Sequence, residues 1–222
     1  MNFGEYDFFY PDGEIDTTPT SDVRKLYPPP YRCFYEAKPS VSQLLRAHEY
    51  LTEVVEEDGP FESISGFSQS AEVAASLLLY QAWEVHFNFA VFIGGTKSFD
   101  VSALASGKIS KPVKMCAGTH STRINVPTAH VIGRSDACRK SSKAFLELCN
   151  RREVKVCDHK GAHVVPRGQE AVEDLTAALN WVVDQAMYQV NKRIARVEGR
   201  ERLSLKEATT SRFDPCQELP VL

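Results

Sequence analysis

The chain has no C-x-x-C pair, no apolar run long enough to span a membrane, no excess of basic residues and no internal repeat. Each absence excludes a class. Its six cysteines, at positions 33, 116, 138, 149, 157 and 216, are too scattered for a zinc site or a disulfide frame. Reduced thiols in a cytoplasmic protein are expected instead. A formal net charge of −3 removes the electrostatic ground for binding nucleic acid. Residues 1–7 are acidic and contain no apolar core with a small-residue cleavage site, so no secretory signal is expected. The apolar run at 87–94 is far too short to cross a bilayer. Nothing in the pattern requires a cofactor or a metal ion.

What is present suits one sizeable α/β domain over residues 1–190, followed by a charged tail at 191–222 expected to fray and then lose order. Residues 6–10 (YDFFY) read as a short buried strand closed by a Pro-Asp-Gly turn. Residues 15–40 hold three consecutive prolines and read as a long loop. Its Tyr31, Phe34 and Tyr35 make it either a flap over a site, touching substrate, or a surface loop pinned by its aromatics. Ser40 opens a helix that ends near Gly59-Pro60, and a helix is expected over 69–85. Apolar runs at 86–94, 126–133 and 153–157 read as central strands, with helices near 140–149 and 168–190. This alternation predicts a mostly parallel sheet between helical layers, with chemistry gathered at the C-terminal strand ends.

Ser68 follows a strand-like run directly and precedes an apolar helix, in Gly66-Phe-Ser-Gln-Ser-Ala71. That is the context of a nucleophile elbow, with Ser70 where a second glycine is usual. The Gln69 N–H at the helix start would face an oxyanion. On these residues alone, Ser68 is equally well a helix N-cap. Asp136 and His163 follow the ends of two later strands, giving the chain order Ser, Asp, His. Asp136 also reads as a helix cap. His159 competes with His163 as base, although Gly161 and Ala162 give His163 room. His48 and His130 fall on a helix and a strand and read as packing or surface residues, His86 opens a strand, and His120 lies in a variable stretch. Cys138 lacks an elbow.

Together with Pro-Pro-Tyr31-Arg-Cys-Phe34, residues 126–136 (VPTAHVIGRSD) and Gly161-Ala-His163-Val-Val-Pro166, the elbow resembles the fungal serine hydrolase family. The resemblance runs from about residue 5 to 190. It implies an α/β-hydrolase fold, Ser68 as nucleophile, Asp136 as acid partner, His163 as base, and an ester or thioester substrate, free or carrier-bound, of polyketide type. Family members usually begin with a strand and a His-Gly turn that supplies a second oxyanion N–H. No such turn precedes Ser68 here. The departure fits a fragment of an ordinary enzyme, a weakened enzyme, or a hydrolase-like binding protein. It also predicts a free strand edge and pairing into a homodimer.

Overall fold

The first long helix starts at a capping box. The Ser40 hydroxyl accepts the Gln43 N–H at 3.2 Å, and the Gln43 side chain accepts the Ser40 N–H at 3.1 Å. The computed structural model describes residues 6–19, 21–26, 28–80 and 87–210. Ahead of that helix, β1 (Ile15–Asp16) pairs antiparallel with β2 (Arg32–Cys33), and α1 (Ser21–Leu26) lies between them in sequence. The segment expected to be a loop is therefore largely irregular, but anchored by a two-residue ladder.

Next come α2 (Val41–Asp58), β3 (Ser63–Phe67), α3 (Gln69–Leu79), β4 (Phe89–Ile93) and α4 (Val101–Ala105). They are followed by β5 (Thr128–Gly133), α5 (Arg139–Phe145), β6 (Val154–His159) and α6 (Gln169–Thr210). Four strands form one sheet in the order β3-β4-β5-β6, and every pairing is parallel. The expected α/β architecture with a parallel sheet is what the chain forms.

Two apolar layers hold the sheet. On one face, Leu44 and Leu51 of α2, Leu77 and Leu78 of α3 and Phe145 of α5 join Phe92 in a single cluster. Phe92 meets the Phe145 ring edge-on at 4.9 Å and the His130 ring at 5.1 Å. On the other face α6 alternates its turns against the sheet, placing Val182 and Val183 on Val91 and Ala129, and Ala178 on Val131 and Cys157. β5, one of the two inner strands, is buried at all six positions, with the polar Thr128 and His130 among them.

Several expectations change. Residues 6–10 form no strand; Phe8, Phe9 and Tyr10 are 60%, 51% and 81% exposed. An aromatic run supplies apolar surface but cannot be a strand without a backbone partner. The segment borders a groove along β3, with Phe9 packed on Phe61 at 5.7 Å. The described part of the helix after the elbow ends at Leu79; its expected continuation to residue 85, and His86, lie outside the described residues. α6 runs on as helix through residues 191–210, where fraying was expected. Residues 191–197 are all exposed, so that stretch is helical without facing a core. Residues 211–222 lie outside the described residues.

Candidate active site

The turn from β3 into α3 is tight. A Cβ on Gly66 would sit 2.4 Å from the Ala71 nitrogen and 2.4 Å from the Ser70 carbonyl carbon, so no larger residue fits. Position 70 tolerates a side chain because Ser70 borders the open groove beside β3. Ser68 itself has φ 56° and ψ −116°, the sole positive φ at a non-glycine among the described residues. An N-cap serine adopts extended backbone angles and accepts a helix N–H with its side chain. Ser68 does neither. Its hydroxyl lies 2.9 Å from His163 Nε2 instead.

His163 Nδ1 lies 2.8 Å from Asp136 Oδ2, and the other Asp136 oxygen accepts the Cys138 N–H at 2.7 Å. The Asp136 side chain is 1% exposed. A carboxylate there accepts from Nδ1–H, leaving the Nε2 lone pair for the serine hydroxyl. The His163 ring packs on Phe67 at 5.0 Å between centroids. It also fills the space above Gly94, where a Cβ would come within 2.8 Å of its Cε1; Gly94 has φ 57° as well. Three strand ends, those of β3, β5 and β6, thus deliver the three residues that the sequence singled out.

The competing residues are spoken for. His159 ends β6, is 5% exposed, and accepts the Gly161 N–H on Nδ1 at 3.1 Å, so it shapes the loop that carries His163. Burial, and next the Asp136 charge, push the Cys138 thiol pKa up, which disfavours the thiolate a nucleophile needs. Asp136, Cys138 and His163 hold potential metal-ligand atoms within 4.8 Å of one another, but both His163 nitrogens are already engaged by Asp136 and Ser68. His48 and His130 are buried packing residues, and His120 bonds Asp100 at 2.9 Å beside α4.

Of the flap aromatics, Phe34 borders the groove next to the elbow, and the Tyr31 carbonyl accepts the Thr17 N–H at 2.9 Å. Tyr35 does not face a substrate space. It is 6% exposed, sits edge-on to Phe99 at 5.8 Å, and donates its hydroxyl to Glu72 at 2.7 Å. Burial, followed by the Glu72 charge, raises its pKa far above the usual phenol range. Glu72 itself was not singled out in the sequence. A lone carboxylate one turn after Ser68, inside an otherwise apolar helix face, is the signal that would have found it.

The family resemblance holds across most of the chain. The family described as "Serine hydrolase (FSH1)" matches residues 2–175. The chain belongs to this serine hydrolase family. It is 30% identical over 181 residues to Esterase FPY3 of Fusarium mangiferae, spanning 80% of this chain and 82% of that protein. Esterase FUS5 of Gibberella moniliformis is 26% identical over 181 residues, spanning 76% of this chain and 70% of that one. A solved carboxylesterase from Mesorhizobium loti superposes with a TM-score of 0.49 at 16% identity, over 76% of this chain and 73% of that chain. As in the sequence reading, no described helix of this family member is long and apolar enough to cross a membrane.

The elbow geometry makes a prediction of its own. The φ and ψ of Ser68 cost a side-chain-bearing residue about 1–3 kcal/mol and cost glycine little. Ser68→Gly should therefore be more stable to urea than Ser68→Ala by about that amount, although neither has a hydroxyl. Equal midpoints would show that the turn relaxes once the hydroxyl is gone.

Proposed function

We propose that this serine hydrolase cleaves an acyl ester or thioester through a covalent Ser68 intermediate. His163 Nε2 removes the Ser68 proton as Oγ attacks the carbonyl carbon. The same proton then passes to the leaving alcohol or thiol, and the acyl-enzyme forms. Water, deprotonated by His163, releases the acid and restores the serine. Asp136 holds Nδ1–H and stabilises the imidazolium. The Gln69 N–H, at the dipole-positive end of α3, faces the developing oxyanion. The observation that carries this reading is the pair of contacts at 2.9 and 2.8 Å linking Ser68, His163 and Asp136.

A groove of about 390 Å³ runs the length of β3 to the elbow, bordered by Phe8, Phe34, Phe61, Phe67 and Leu77. It favours a lipophilic acyl group, which the resemblance implies is of polyketide type. A fluorophosphonate probe should form a stoichiometric adduct that peptide mapping places on Ser68, and p-nitrophenyl esters should be turned over. Absence of both adduct and turnover would sink the proposal.

A second reading has one observation behind it. Among the described residues, the outer edge of β3 carries no strand that could lead a second N–H to the oxyanion. A missing donor lowers turnover by about 10²–10³. Adduct formation with turnover depressed to that extent would identify a weak enzyme whose main task is binding.

A further inference from the structure

Two side chains on the first turns of α3 tie the flap to the nucleophile helix. The Gln69 carboxamide accepts the Phe34 N–H at 2.9 Å and donates to the Tyr35 carbonyl at 2.7 Å. With both ends engaged on flap backbone, it is not free to meet a substrate. One turn later, Glu72 accepts the Tyr35 hydroxyl at 2.7 Å, the Thr96 hydroxyl, and the Lys114 ammonium at 2.5 Å. The Glu72 side chain is 15% exposed, and Lys114 stacks over the Phe99 ring at 3.8 Å. Three segments distant in sequence therefore converge on one carboxylate beside Ser68. A buried carboxylate costs free energy unless its acceptors are filled, and here both oxygens are.

We infer that Gln69 and Glu72 form a two-point latch that holds Phe34 against the groove along β3, which reaches the elbow at Phe67 and Ser70, and that Glu72 and Tyr35 are thereby positioning residues for the acyl group. The inference rests on the proposed hydrolase reading for its kinetic consequence, but not for its structural one. Loss of one hydrogen bond to a charged acceptor shifts a local equilibrium by about tenfold or more. Freeing the flap should therefore loosen Phe34 and Arg32 together, since Arg32 lies two residues away on the exposed β2.

The test uses the full chain as wild type, Tyr35→Phe and Glu72→Gln, with two readouts. The first is the ratio of kcat/KM for p-nitrophenyl octanoate to that for the acetate. This should fall about fivefold or more in both variants, through KM for the octanoate. The second is trypsin nicking after Arg32, which should accelerate about tenfold. Equal losses on both esters, or an unchanged nicking rate, would overturn the latch. If Glu72→Gln does not fold, Tyr35→Phe decides, because it keeps the ring and leaves the Glu72–Lys114 pair in place. If the wild type turns over neither ester, the hydrolase proposal fails and the nicking comparison alone judges the latch.

Discussion

Asp136→Asn should lower ester turnover by about 10⁴-fold while leaving the fold intact. One oxygen of Asp136 accepts the Cys138 N–H at 2.7 Å, so an asparagine would keep its carbonyl oxygen there. Its NH₂ group would then face His163 Nδ1, at the position now held by Oδ2. A donor at that point forces Nδ1 to become the acceptor and puts the ring proton on Nε2, facing the Ser68 hydroxyl. The imidazole would be present, correctly placed, and unable to take a proton. Ser68→Ala removes the attacking atom itself and should cost about 10⁶-fold. The double variant should be no worse than Ser68→Ala, because in the proposed mechanism the three groups act as one unit. Steady-state hydrolysis of a p-nitrophenyl ester measures all three. Full additivity, or an Asp136→Asn loss under tenfold, would remove Asp136 from the mechanism.

Acidification should destabilise the protein by about 4 kcal/mol between pH 7.5 and pH 5, through two histidines that take no part in the proposed chemistry. Burial pushes His48 down to about 4 and His130 down to about 3 from an ordinary 6.5. In the unfolded chain both return to about 6.5, so over this interval the unfolded state binds more protons. The stability is therefore fully present above about pH 6.5, drains away as pH falls from there toward the two folded values, and levels off below them. Each group contributes about 2 kcal/mol at pH 5. His48 has a buried Nε2 without a hydrogen-bond partner and lies on the Tyr80 ring at 4.7 Å. His48→Phe should keep that stacking and remove half of the pH dependence. Urea midpoints at the two pH values would show it; a flat profile would mean that both histidines take up protons as readily in the folded state as in the unfolded chain.

The three site residues are legible because each follows a strand end that can be read from local sequence: Ser68 stands directly after β3, and Asp136 and His163 lie on the turns beyond β5 and β6. The same locality explains what was misread. Residues 6–10 have the composition of a strand, yet whether a strand forms depends on a neighbour that no local pattern reports. The strand expected to end at residue 157 continues through His159 and buries it. Glu72 escaped notice because its partners stand at positions 35, 96 and 114. Gln69 was valued for its backbone N–H, and only the fold reveals that its side chain is committed to the flap.

The order of strands across the sheet is the order in which they are synthesised. As a nascent chain leaves the ribosome, each strand can settle beside the one made just before it, and α2 and α3 can cover one face early. Among the described residues, the opposite face has no such early cover. Val91, Ala129 and Val131 are sealed by Ala178, Val182 and Val183, all on the last helix. A chain that extended only to Gly168 would therefore carry all four strands with one apolar side of the sheet bare, a surface that a chaperone can bind. Release from that state waits on the final long helix.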